Sequence, residues 1–285
     1  MSAPPNPTVR SRRLRYELKR LRAAAGLTIE EAARRAGVDK GTLSRWESGR
    51  RRVRPGDVLI LAGIYGVPAE HAEILVILAR EAGQRGWWQD FGTVLPDGFE
   101  VYLGMEAEAE SIRDFQLALF PGLLQTPDYY RAFMKSAPAA GDDETIARRA
   151  EVRAERQKLL DGPGAPNLWA VLDENVLRRP VGGPDVMRAQ VHHVIGMAMR
   201  DRVTVQVLPF SAGAHQAMDG SFIILGFAEQ LDPDLVYSED QVSNVLREGQ
   251  QEVARYDAMW SHLVAKAASP ERSAVMLAEA AAALA

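Results

Sequence analysis

The apolar positions of residues 10–84 recur at helical spacing, in short runs separated by single glycines. Leu14, Leu18, Leu21 and Ala25 share one face of a first helix that stops at Gly26. Thr28 caps a second helix, Ile29 to Ala36, and Glu31 three residues on completes a capping box; Gly37 ends it. Asp39 caps a third, which carries Leu43 and Trp46, runs to Glu47 and closes at Ser48 and Gly49. Pro55 suits the first turn of a fourth, with Val58, Leu59, Leu61, Ala62 and Tyr65 as its apolar positions and Gly66 as its end. Pro68 opens a fifth, carrying Ile74, Leu75, Ile77 and Leu78 to about Gly83. The pattern predicts a five-helix domain over residues 10–84. Residues 1–9 are Pro-rich without an apolar pattern, and a disordered arm is expected there.

Residues 85–104 read as the hinge or linker, although Trp87, Trp88 and Phe91 are too apolar for a flexible one. Beyond it both periods occur. Helices are predicted at about 100–110, 127–136, 144–160, 185–200, 247–267 and 270–284. Short β-rich runs lie at Leu168–Leu172, Val203–Leu208, Phe222–Phe227 and Leu235–Tyr237, bounded by Gly, Pro and Asp. Strands interleaved with helices indicate a mixed α/β or α+β domain with a small sheet over residues 105–285. The fold class is therefore mostly α, with a helical head and a mixed C-terminal body. The aromatics at Trp87, Trp88, Phe91, Phe99, Tyr102, Tyr129, Tyr130 and Phe133 suit a core, or else a pocket wall or partner surface. Phe210 to His215 reads as an ordered loop after a strand, where a ligand or partner could be met. Trp87, Trp88, Phe210 and His215 are the candidate ligand or partner contacts of this region.

Charge changes the picture. The 285 residues carry a formal charge of −4, an unremarkable average. Residues 1–57, however, hold fifteen Arg and Lys against six Asp and Glu, and the rest holds nineteen against thirty-two. A basic head of +9 on an acidic body of −13 suggests a nucleic-acid-binding module joined to something else. Cysteine is absent, which excludes disulfides, thiolate metal sites and a cysteine nucleophile and fits a reducing compartment. The start lacks a secretory apolar region, and no apolar run approaches the ~20 residues that span a bilayer. The expectation is a cytoplasmic, nucleoid-associated protein without a membrane partner.

The third predicted helix carries the chemistry. Between residues 28 and 49, Ala33 supplies the small side chain that two steeply crossing helices need where they touch. Gly37, four positions later, tolerates the left-handed backbone of the turn, and Ala32, Ala36, Val38, Leu43 and Trp46 fall on the inward faces. Residues 12–67 resemble the Xre/Cro-like helix-turn-helix family of bacterial and phage repressors. The resemblance implies that the third helix enters the major groove, with Lys40, Gly41, Thr42, Ser44 and Arg45 facing it. Arg45 is the expected base reader, because a guanidinium can bond guanine O6 and N7 together. The family often has glutamine after the second helix's cap; Ile29 stands there, leaving Thr28 and nearby amides to clamp phosphate. Arg22 and Glu47 occupy positions of a structural ion pair in the family. Arg50, Arg51 and Arg52 follow the recognition helix and are expected to meet phosphates. Arg10, Arg12, Arg13 and Arg15 form either a DNA-tracking arm or a merely soluble one.

The body shows no comparable constellation. His192, His193, His215 and His262 lack metal-ligand spacing, and no nucleophile elbow precedes Ser211. The carboxylate pairs at Asp173 and Glu174 and at Asp142 to Glu144 read as caps and solvated faces. No catalytic residue, metal site or cofactor is assigned, and an enzyme is not expected. Several ordered segments carry a second resemblance: Gly86 to Asp90, Glu106 to Glu110, Phe120 to Tyr130, Arg153 to Leu159, Leu172 to Pro180, Val205 to Phe210, and Ser211 to His215. Together they resemble the actinobacterial regulators that join an Xre-type head to a DUF5753 domain, described as WhiJ-like or antitoxin-like. Five lysines against twenty-nine arginines suit a GC-rich genome of that kind. The resemblance implies a transcriptional regulator, often encoded beside a small DUF397-type partner protein. One helix-turn-helix buries too little to hold a site alone. A homodimer, held together by the body or the 68–84 helix, is therefore expected on a double-stranded operator, reading half-sites about 34 Å apart. A metabolite-binding body and a DNA-tethered enzyme remain the alternatives.

Overall fold

The computed structural model describes residues 9–82, 87–92, 94–96, 98–136, 141–228, 234–239 and 244–284. Residues 1–8, most of the expected arm, residues 83 and 84 at the end of the expected helical domain, and residues 85, 86, 93 and 97 of the expected hinge lie outside them. The chain divides into two compact units, with the break between Gln89 and Asp90.

The first unit is helical: α1 (Val9–Ala24), α2 (Ile29–Arg35), α3 (Lys40–Glu47), α4 (Pro55–Ile64) and α5 (Ala69–Glu81). Its punctuation follows from the residues. The Thr28 hydroxyl accepts from the Glu31 amide while the Glu31 carboxylate accepts from the Thr28 amide. Asp39 caps α3 through the Thr42 amide at 2.8 Å, and Pro55 occupies the first turn of α4. Gly37 turns the chain between α2 and α3 at φ 69°, a conformation that would strain any other residue. Leu14, Leu18, Ala32, Ala33, Leu43, Trp46, Val58, Leu61 and Leu75 form one core. Arg10, Arg12, Arg13 and Arg15, read as either a DNA-tracking arm or a soluble surface, lie on α1. Arg12 is buried in it, and Arg10 pairs with Glu81 at 3.2 Å. Within the expected linker, Trp87–Phe91 form a 3-10 turn with Trp88 buried, and a helix already starts at Phe99.

The second unit is a mixed sheet with helices. In chain order it runs α6 (Phe99–Glu106), β1 (Ser111–Gln116), α7 (Pro127–Lys135), α8 (Asp143–Gln157), β2 (Asn167–Asp173), α9 (Asn175–Arg178) and α10 (Pro184–Met197). It continues with β3 (Val203–Leu208), β4 (Phe222–Gly226), β5 (Leu235–Glu239), β6 (Asn244–Arg247), α11 (Gln250–Lys266) and α12 (Pro270–Ala282). The strand order is β3-β2-β1-β4-β5-β6; β1, β2 and β3 are parallel and the remaining pairs antiparallel. Phe115, Val171, Phe222, Ile224 and Val236 bury one face together with Trp260 and Leu263 of α11. The β3 edge is covered. Val207 donates its amide to Ser273 Oγ at 2.9 Å and accepts from the Ala268 amide at 2.8 Å, while Gln206 donates to the Ala268 carbonyl.

Two strands depart from the sequence expectation. The helix predicted over 100–110 stops at Glu106, and the chain enters β1. Polar residues stand in mid-strand there: Arg113 pairs with Asp234 and Asp257, both at 2.7 Å, and Asp114 is buried against Gln116. The compensation of Arg113 comes from distant residues, so no local alternation announces the strand. β6 is short, and it too was unexpected.

Candidate nucleic-acid interface

The third helix is presented by packing on its inner side. Leu43 and Trp46 are buried under α3, and Ala32 and Ala33 of α2 are buried against the same core. Arg22 fixes its far end: Nε and Nη2 grip the two Glu47 oxygens at 2.7 and 3.0 Å, and Nη1 donates to the Leu27 carbonyl at 2.8 Å. The fork binds α1, the turn before α2 and the end of α3 in one junction, and Glu47 raises the Arg22 pKa above its ordinary value.

The outer side carries Lys40, Ser44 and Arg45, all exposed, with Gly41 half-buried between them. Thr42 departs from the expected groove-facing set. Its side chain is only 6% exposed, because position 42 falls on the same inward stripe as Leu43 and Trp46. Its hydroxyl donates to Asp39 Oδ2 at 2.6 Å and accepts from Arg45 Nη2 at 3.1 Å, and the Arg45 guanidinium stands 3.8 Å from Asp39 Oδ1. The Thr42 hydroxyl and amide hold the Asp39 carboxylate below its usual pKa, with Arg45 adding attraction. A Cβ at Gly41 would lie 3.0 Å from Asp39 Oδ1 and 3.4 Å from Arg45 Nη1, so glycine leaves the guanidinium room to fold back across the helix start. Lys40 is paired with Glu30 of α2, which lowers the Glu30 pKa. Thr28 is exposed at the start of α2. Sequence reasoning identified Asp39 as a cap but missed its approach to Arg45, and it missed Glu30 as the partner of Lys40. The signal for Asp39 was present, since Asp39, Thr42 and Arg45 are spaced three apart and therefore adjacent on a helix start.

Arg50, Arg51, Arg52 and Arg54 are exposed beyond α3. Arg51, Arg52, Arg54 and Pro55 line an open cleft of about 390 Å³. Arg52 has a second engagement, donating Nη2 to the Ala79 carbonyl at 3.0 Å near the end of α5. Of the body's candidate contacts, Phe210 is 58% exposed while His215 is turned inward. The His215 ring meets Phe115 edge-on and lies 3.5 Å from Asp173 Oδ2, with Nδ1 buried and unbonded. Trp87 and Trp88 meet edge-to-face at 5.9 Å. Asp173 and Glu174, expected as caps or on a solvated face, are buried; Asp173 Oδ1 accepts from the Asn175 amide at the start of α9, and Glu174 accepts from the Phe210 amide and from Arg178. A cleft of about 430 Å³ beside them is walled by α9 and α12. Among the described residues no group of three or more His, Asp and Glu could hold a metal ion, and no helix is long and apolar enough to cross a membrane.

Comparison with protein families matches residues 13–74 to a helix-turn-helix domain and residues 99–279 to the domain of unknown function DUF5753. Curated proteins and solved structures give no match. The second match spans most of the chain and all six strands of the sheet, and the first encloses α2, α3 and their cap network. The chain belongs to the DUF5753 family, as a helix-turn-helix regulator carrying that domain at its C-terminal end.

Proposed function

We propose that this DNA-binding regulator is sequence-specific and lays α3 in the major groove. The observation that carries the reading is the outer face of α3: Lys40, Ser44 and Arg45 exposed at the start of a helix whose inner face is locked by Leu43, Trp46 and the Arg22–Glu47 fork. Arg45 reads a base pair, Lys40 exchanges Glu30 for a base or phosphate, and Gly41 permits close approach. Arg50, Arg51 and the arginine-lined cleft neutralise phosphates, with Thr28 and the α2 amides clamping one more. Thr42 acts from behind, through Arg45.

The regulator works as a homodimer on two half-sites, and exposed Leu59, Ile60, Ile74 and Ile77 on α4 and α5 supply apolar surface for pairing. The body takes a small protein partner of the DUF397 type. Exposed Phe210 and Met218, on the segment that follows β3, support that surface. In vitro selection from random duplexes with the purified protein tests the whole reading, with and without the partner. A two-fold consensus is expected, with Arg45→Ala relaxing one position in each half. A salt-sensitive profile without a consensus sinks it.

A further inference from the structure

Two guanidinium groups converge beside Gly122, far in sequence from the DNA-reading helix. Arg153 and Arg156 lie three apart on α8, on one face of that helix. A Cβ at Gly122 would sit 2.6 Å from Arg153 Nη1, 3.1 Å from Arg156 Nη1 and 3.3 Å from Arg156 Nη2. The φ at Gly122 is not in the left-handed region, so space, not backbone conformation, favours glycine there.

The local charge does not balance. Arg156 spends Nε and Nη2 on the two oxygens of Glu106, at 2.8 and 2.7 Å, and both side chains are buried. The Glu106 carboxylate also accepts from the Tyr102 hydroxyl at 2.5 Å. Arg156 Nη1 stays outside this pair. Arg153 has no ion pair among the described residues: it lies over the Tyr130 ring at 4.2 Å, and its Nε is buried without an acceptor. Burial first and Arg156 second push the Arg153 pKa below its ordinary value, while Tyr130 and the more distant Glu239 oppose them. Two adjacent cations thus share one contacting carboxylate, and their spare donors face one locus. Gly122 and Arg153 both keep partial solvent exposure, so the locus is reachable.

We propose that this locus binds the anionic group of a small molecule, a carboxylate or a phosphoryl group, bridged between Arg153 and Arg156 Nη1. Planar guanidinium donors match both anions. The site would make the body a receptor for an acidic metabolite, and it does not depend on how α3 reads DNA.

The test uses the full chain and thermal unfolding, with sodium phosphate and sodium acetate each titrated against chloride at constant ionic strength. Phosphorus-31 line broadening is followed in parallel. At least one anion should raise the melting temperature saturably, because a ligand of the folded state stabilises it; which one does so distinguishes phosphoryl from carboxylate ligands. Gly122→Ala, which fills the locus, and Arg153→Gln, which spares the Arg156–Glu106 pair, should each cut the affinity at least tenfold. Phosphate held by the head arginines would persist in both variants as a common background. Should Gly122→Ala fail to fold, Arg153→Gln alone decides. A wild-type response matched by Arg153→Gln, or no saturable response to either anion, overturns the proposal.

Discussion

Arg45 is held in place by its own helix. Thr42 Oγ1 receives one of its N–H groups and Asp39 stands behind both, so the guanidinium has fewer orientations to lose on meeting a base. Thr42→Val keeps the shape and burial but removes the hydroxyl, and Asp39→Asn keeps the cap. Each is expected to lower the preference for the favoured base at one position about three- to tenfold, leaving binding to random DNA within twofold; selection profiles and competition titrations measure the two. Arg45→Ala should remove that preference altogether, worth roughly 1–3 kcal/mol. A second residue-scale prediction concerns Asp114. Burial, opposed by the Gln116 amide and reinforced by Glu106, raises its pKa from 3.8 to about 7. The folded state therefore favours the protonated carboxyl: its contribution is complete at low pH and is lost as pH rises from about 4 through about 7. Asp114→Asn should flatten that part of the stability-versus-pH curve, by roughly 4 kcal/mol at most. Denaturant melts at pH 5 and pH 8 check it. The outward position of Arg45 was legible in the sequence, whereas the inward turn of Thr42 was not, since a threonine on a short helix suits either face.

Elements were legible where one local rule set them and illegible where distant residues did. The caps at Thr28, Asp39 and Asp142 and the glycine stops needed only neighbours within four positions. The parallel strand β2 announces itself by the unbroken apolar run Leu168–Leu172, and β3 by the alternation of Val203, Val205 and Val207 with Thr204 and Gln206. β1 depends on Asp234 and Asp257, more than a hundred residues away, to neutralise Arg113, and it could not be seen locally. The same reasoning sizes two junctions. Removing Glu47 by Glu47→Ala strands the partly buried Arg22, and a loss of roughly 2–3 kcal/mol in stability is expected. DNA affinity should fall further than stability alone explains, because α3 loses its anchor. Ser273→Ala orphans the buried Val207 amide at the covered sheet edge, costing roughly 1–3 kcal/mol by urea unfolding.

Taken as a whole, the molecule separates its charge by task. The net basic surplus lies in residues 1–57, where Lys40, Arg45, Arg50, Arg51, Arg52 and Arg54 are exposed on and just after α3, and the acidic excess lies in the rest of the chain. Arg51→Ala should accordingly weaken all duplexes alike and lessen the slope of log affinity against log salt by about one, read by titration at several salt concentrations. The chain-wide split was plain from composition. The Gly122 locus was not, because it arises only when the turn at residues 122–124 is folded onto α8. The sealed edge of the sheet also limits how copies of the body can meet. With β3 closed by Ala268 and Ser273, the other terminal strand among the described residues is β6, whose Val245 is exposed. Two bodies joined at β6 by a two-fold axis would pair like strand with like strand, and with β3 closed the assembly would terminate at a pair instead of propagating as a filament.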